Sequence, residues 1–146
     1  MNTTLDALLA EQACRDLVLA AADAVDGRDF LAFADLFEVR GVLVRPDGTE
    51  LVGRPAIVAA YAARDPERLT RHLVSNLRVR LDLALGTALA TCTVLLWSGR
   101  HSDAATQRGR PADPQQQVGE FRDLLVKTSE GWRIRRREAG FTLFRS

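Results

Sequence analysis

The sequence predicts a single α+β domain, spanning residues 1–146, in which packed helices close a strongly curved antiparallel sheet around a mostly apolar pocket. Three observations predict it. In the N-terminal part apolar residues recur at three- and four-residue steps, whereas beyond Leu69 they alternate. Helices therefore precede long strands, which is the order of an α+β domain and not of a doubly wound sheet. A chain of 146 residues with 47% hydrophobic content buries one core and hardly two.

The elements follow in chain order. Thr3 with Asp6 can cap a helix whose stripe is Leu5, Leu8, Leu9, Ala13, Leu17, Ala20, Ala21 and Ala24; it ends at Asp26, where Gly27 terminates it. Asp29 can cap a second helix carrying Phe30, Phe33, Ala34 and Phe37 on one face. Gly41-Val42-Leu43-Val44-Arg45, the turn Pro46-Asp47-Gly48 and Glu50-Leu51-Val52 read as a short hairpin. Arg54-Pro55 opens a third helix with Ile57, Val58, Tyr61 and Ala62 as its stripe, stopping near Asp65-Pro66 because a residue before proline avoids helical angles. Strands are expected at about 71–83, 87–98, 117–128 and 132–144, the last two joined through Ser129-Glu130-Gly131. Between them, 99–117 carries Gly99, Gly109, Pro111 and Pro114 among polar residues; it either covers a pocket mouth or is a disordered surface loop.

Charge and composition exclude several classes. Lys plus Arg number 20 against 19 for Asp plus Glu, and a formal charge of +1 provides no field for nucleic acid or an anionic membrane. With no basic and apolar leader pattern and no apolar run near the roughly 18 to 20 residues that span a bilayer, a cytoplasmic location is expected. Cys14 on the first helix and Cys92 in a strand lack ligand spacing and read as reduced core residues. The two histidines lie far apart without a carboxylate cluster, and phosphate loops and dinucleotide fingerprints are missing, so neither metal nor cofactor is expected.

The order and spacing of several blocks make the chain recognisable. They are Ala22-Asp23-Ala24-Val25-Asp26-Gly27-Arg28-Asp29, Phe33-Ala34-Asp35-Leu36-Phe37, Gly41-Val42-Leu43, Pro46-Asp47-Gly48, Gly53-Arg54-Pro55-Ala56-Ile57, Arg71-His72-Leu73-Val74-Ser75-Asn76, Gly119-Glu120-Phe121-Arg122-Asp123 and Gly131-Trp132-Arg133-Ile134. Together they resemble the SnoaL-like branch of the nuclear transport factor 2-like superfamily along nearly the whole chain. The resemblance implies a cone-shaped fold, with three N-terminal helices on the curved sheet, a deep pocket and commonly a homodimer through the convex sheet face. This fold hosts dehydratases, isomerases, polyketide cyclases, hydrolases and non-catalytic adaptors, so function has to come from residues.

By the same resemblance, Asp26 and His72 stand at positions similar to the Asp–His dyad of scytalone dehydratase, bile-acid dehydratases and hexachlorocyclohexane dehydrochlorinase. A carboxylate fixes the histidine tautomer and stabilises the imidazolium, so the other ring nitrogen can accept a proton near neutral pH. The plain alternatives are a helix-end Asp26 bonded to a backbone amide and a satisfied strand His72; a carboxylate at the negative end of a helix dipole nevertheless requires compensation. Arg137 matches the dehydrochlorinase arginine that helps hold the leaving group, although Arg135, Arg136 and Arg137 run consecutively and equally suit a solvated strand face. Asn76 shares the His72 face if no bulge intervenes, yet Leu77, Val79 and Leu81 take the opposite parity, which points to a bulge. Trp97, Phe121 and Tyr61 are bulky candidates for the pocket wall, or else core or dimer interface.

Departures narrow the chemistry. Val25 and Pro46 stand at the tyrosine positions of scytalone dehydratase, and Trp97-Ser98 near its second histidine. Arg45 falls where ketosteroid isomerase has its carboxylate base, and no Asp-Arg-Asp set like that of limonene epoxide hydrolase is found. The expectation is a cofactor-independent acid–base enzyme of biosynthesis, a lyase or isomerase of dehydratase or cyclase type, acting on a small apolar oxygenated molecule such as a polyketide or terpenoid intermediate. His72 would be base and then acid, Asp26 its orienting partner, Arg137 or Asn76 the oxyanion or leaving-group aid, and Val25, Tyr61, Trp97 and Phe121 the pocket wall. The alternatives are a non-catalytic binding or assembly module with the same pocket, and a hydrolase that activates water there.

Overall fold

One long helix and two short ones precede and interrupt a six-stranded sheet. The computed structural model describes residues 3–146, which run α1 (Thr3–Asp26), α2 (Phe30–Asp35), β1 (Phe37–Val44), β2 (Glu50–Val52), α3 (Arg54–Ala62), β3 (Arg68–Asp82), β4 (Thr87–Arg100), β5 (Gln116–Thr128) and β6 (Gly131–Arg145). The expectation of three N-terminal helices is thus corrected in part, since α1 has 24 residues, α2 only 6 and α3 only 9, and α3 follows β1 and β2.

The buried face of α1 is Ala10, Cys14, Leu17, Val18, Ala21, Ala22 and Val25. The expected stripe thus holds at Leu17 and Ala21 and is corrected at Leu5, Leu8 and Leu9, which are exposed because α1 is covered by the rest of the fold only from Ala10 onward. Thr3 is itself helical, so it is not the cap. At the other end the Asp29 amide donates to the Ala24 carbonyl (2.9 Å) and the Arg28 amide to that of Val25 (3.1 Å), the bond pattern of a Schellman turn. The left-handed residue is Arg28 (φ 56°), not Gly27, because two residues are needed past Asp26 to complete the turn. Asp29 then caps α2 as expected, its Oδ1 accepting from the Ala32 amide at 3.0 Å. That helix stops at Asp35, two residues short of Phe37, because Phe37 is already paired with Ile134.

The sheet order is β2-β1-β6-β5-β4-β3. It is mixed where an all-antiparallel sheet was expected: β1 runs parallel to β6 and every other pair is antiparallel. The reason is that β1 and β6 are not joined by a hairpin, so the intervening chain can return in either direction.

Register shifts bend the long strands. In β3, Ser75 pairs with Thr93 but Arg78 with Thr91, leaving one extra residue around Asn76 (φ 51°). In β6, Leu125 pairs with Ile134 but Leu124 with Arg136, and Val118 with Leu143 but Gly119 with Phe141, which adds two more. Each bulge increases twist and lets the sheet curl. Gly119 permits one of them, since a Cβ there would stand 2.7 Å from the Gly140 carbonyl oxygen.

Phe33, Phe37, Leu43, Ile57, Leu125 and Ile134 are fully buried between helices and sheet, each contributing about 1.5–3 kcal/mol. Cys14 and Cys92 are buried free thiols, and burial pushes Cys14 up to about 11. Among the described residues no helix is long and apolar enough to cross a membrane.

Candidate active site

Asp26 is the last residue of α1, and its carboxylate points across to β3. Oδ1 accepts from the Thr70 hydroxyl at 2.9 Å and lies 2.6 Å from His72 Nδ1, while Oδ2 accepts the His72 backbone N–H at 2.8 Å. Thr70 and His72 are two apart on one strand face, so a single helix end meets both side chains and the amide. These donors supply the compensation that a carboxylate at a helix C-terminus requires. Both dyad side chains are only 14% exposed. Burial by itself would raise the Asp26 carboxyl, but the His72 ring and amide, the His72 charge and the Thr70 hydroxyl together hold it below its ordinary 3.8. An ionised Asp26 places the imidazole proton on Nδ1, and Nε2 is left with its lone pair for chemistry.

His72 lines a cavity of about 110 Å³. Its wall combines Ala21, Ala22 and Val25 of α1, Tyr61 of α3, Val94 and Leu96 of β4, Gly119, Glu120 and Phe121 of β5 and Arg137, Ala139, Gly140 and Phe141 of β6, with Pro46, Arg64 and Arg68 completing it. The His72 and Phe121 rings lie 6.5 Å apart at 30°. The apolar part of this wall around His72 strengthens the electrostatics of the dyad because water screens less.

Arg137 is 2% exposed, and of the three consecutive arginines it alone turns inward. The β6 bulge explains this: Trp132 and Ile134 face the core on even parity, the extra residue shifts the face, and Arg137 and Ala139 follow on odd parity. Arg135 and Arg136 instead pair outside with Glu38, Glu50 and Glu138. Inside, Arg137 Nε and Nη2 donate to the two Asp123 carboxylate oxygens at 2.8 Å each, and the guanidinium lies 4.1 Å from the Phe121 ring centre. Burial pulls this guanidinium down, yet the Asp123 charge and hydrogen bonds hold it above its ordinary value.

Of the expected site residues, Asp26, His72, Arg137, Val25, Tyr61 and Phe121 meet around this cavity. Two do not. Trp97 points to the outer face, because the inward residues of β4 are Ala88, Ala90, Cys92, Val94 and Leu96, and position 97 falls on the other parity. Asn76 sits exposed in the β3 bulge, which also restores Leu77, Val79 and Leu81 to the inward face. The connection after β4 folds onto the strand end through the Gly99–Ala112 bridge, and neither His101 nor any other residue of it lines the cavity.

Sequence reasoning missed Thr70, Asp123, Arg64 and Arg68. Thr70 and Arg68 were hidden by starting β3 at 71 instead of 68, whereas Asp123 had a usable signal: an acid on the inward parity of Gly119, Phe121 and Leu125.

The lowered Asp26 value sets a pH dependence. A carboxyl held below its unfolded value stabilises the fold above about pH 4, and that contribution is lost as pH falls through the folded value. Thermal melts should therefore show wild type above Asp26→Asn at about pH 5, and the margin should shrink below about pH 4. An undiminished margin at pH 3 would contradict the ionised dyad.

A family model described as SnoaL-like domain matches residues 6–138. Solved structures share the fold. An NTF2-like protein with a cystatin-like fold from Novosphingobium aromaticivorans has a TM-score of 0.75 at 21% identity, covering 95% of this chain and 86% of that one. A type 2 hexachlorocyclohexane dehydrochlorinase gives 0.80 at 16% identity, covering 97% and 91%. ActVI-ORFA from Streptomyces coelicolor gives 0.71 at 19% identity, covering 90% and 96%. Among curated proteins none matches the chain.

Proposed function

The chain belongs to the SnoaL-like domain family of nuclear transport factor 2-like proteins, and from that premise we propose that it is a cofactor-independent acid–base enzyme acting on a small apolar oxygenated metabolite. One observation carries the reading: the 2.6 Å contact between His72 Nδ1 and Asp26 within an apolar cavity. Similarity to a dehydrochlorinase is consistent with elimination but establishes only the fold.

The chemistry follows from the dyad. Nε2 of His72 takes a proton from a carbon of the substrate, the C–H electron pair becomes the new double bond, and the bond to oxygen on the neighbouring carbon breaks. The departing hydroxyl takes the proton back from the imidazolium and leaves as water, so nothing is oxidised or reduced. Asp26 stabilises the imidazolium between these steps. The Arg137–Asp123 pair is neutral as a unit, and the guanidinium edge facing the cavity supplies a fixed donor for developing negative charge on oxygen. Isomerisation or cyclisation would use the same proton transfers with another acceptor for the electron pair.

The experiment is to incubate the protein in heavy water with a panel of polyketide and terpenoid β-hydroxy ketones and follow products by mass spectrometry. Deuterium entering at carbon supports proton transfer; heavy oxygen from labelled water entering the product instead would mark a hydrolase. Ligand binding with neither label would mark a binding module.

A homodimer through the outer sheet face accompanies this reading. Leu73, Leu95, Val118 and Leu143 stand side by side on four neighbouring strands, with half-exposed Trp97 beside them. Such an apolar row on an outer face favours self-association. Leu95→Glu should convert a dimer to a monomer in sedimentation velocity, and a monomeric wild type would remove the proposal.

A further inference from the structure

The cavity has a cationic rim whose charges lack carboxylate partners. Arg64, in the turn between α3 and β3, is half-buried against the cavity with its guanidinium 4.0 Å from the Tyr61 ring centre. Arg68, the first residue of β3, lines the same cavity and shares a strand face with Thr70 and His72. Burial, and beyond it the charges of Arg68, Arg45 and Arg28, hold the Arg64 guanidinium below its ordinary value.

The acids next to the rim in sequence and at the α1 end are engaged elsewhere, and Glu120, which lines the cavity from β5, forms no ion pair with either arginine among the described residues. Asp65 faces Arg100 at 3.6 Å and accepts the Glu67 amide; Glu67 accepts the Ser102 amide at 2.8 Å, Asp47 the Thr49 amide and Asp29 the Ala32 amide. Arg28 donates to the carbonyls of Asp65 and Arg68, which ties the α1 end to this rim. Among the described residues neither the half-buried Arg64 nor the exposed Arg68 forms an ion pair, whereas the fully buried Arg137 has Asp123. A partly desolvated guanidinium without a counter-charge is unfavourable, and an incoming anion offsets that penalty with charge-assisted hydrogen bonds.

Resting on the acid–base reading and extending it, we propose that the substrate carries an anionic substituent on an apolar ring body, held at the rim by Arg64 and Arg68 while the body extends toward His72. The anion is a handle and not the electron sink. Arg68 and His72 are four residues apart along one strand, a separation of roughly 13 Å, so the anionic group and the reacting carbon are not on adjacent atoms.

The test is isothermal titration calorimetry on the full chain at pH 8 with 2-naphthoate, 2-naphthyl phosphate and the neutral 2-naphthamide. At least one anion should bind about tenfold or more tightly than the amide. Naphthoate as the better ligand points to a carboxylate substrate, and the phosphate as the better one to a phosphoester. The preference should vanish in the double variant Arg64→Met, Arg68→Gln, where the methionine keeps the apolar contact to Tyr61, and should persist in His72→Ala. Equal binding of anions and amide, or a preference that survives the double variant, would overturn the rim site. A preference lost only in His72→Ala would place the anion on the imidazole, which overturns the rim site and leaves the dyad standing. Turnover that is indifferent to His72→Ala would remove the acid–base reading while the rim preference remained.

Discussion

His72→Ala lowers turnover of whatever compound the wild type labels in heavy water by about a hundredfold to ten-thousandfold, with a much smaller change in KM. The expectation follows from geometry: Nε2 is the nitrogen the dyad leaves for the cavity, and no other imidazole lines the wall. Asp26→Asn should lose on the order of a hundredfold, because an amide can present a donor to Nδ1 and so favour the wrong tautomer. Since both residues act as one unit, the double variant should be little worse than His72→Ala alone. Circular dichroism and thermal melts show whether each variant remains folded. Full turnover by a folded His72→Ala protein would sink the proposed chemistry.

Asp123→Ala should destabilise the fold by about 3–5 kcal/mol, because it strands the Arg137 guanidinium, only 2% exposed, without its counter-charge. In a chain of this size that corresponds to a fall in Tm on the order of 10 °C. The double change Asp123→Leu, Arg137→Met removes both charges and keeps the volume, so it should recover most of the stability. Turnover separates structure from chemistry. If the double variant is stable and still slow, the guanidinium acts on the reaction; if it is stable and fast, the pair only holds β5 to β6. A single variant that melts within about 1 °C of wild type would mean that the buried pair contributes little.

Local pattern carried much of the fold. The extent of α1, the Asp29 cap, the hairpin with its Pro46-Asp47-Gly48 turn and the four long strands follow from spacing and turn chemistry, which act over a few residues, whereas the face that α1 buries does not, since Leu5, Leu8 and Leu9 are exposed. The inward parity of β4 was also readable, and applying it would have kept Trp97 out of the wall. The parallel pairing of β1 with β6 was not, because nothing local records which way a strand enters a sheet after a long connection.

By itself the sequence determined which residues could do chemistry: an ionisable acid ending a helix, an imidazole on a strand, and arginines in number. Tertiary structure alone decided which of them meet. Asp26 and His72 lie 46 positions apart, and their hydrogen bond exists only because α1 docks across β3. Arg137 faces the cavity and Asn76 faces water because single inserted residues in β6 and β3 reverse the side-chain parity. A strand alternates with period two, so one bulge exchanges its faces; where the sheet must bend around the helix to place that bulge is a property of the packed molecule and not of any short stretch of chain.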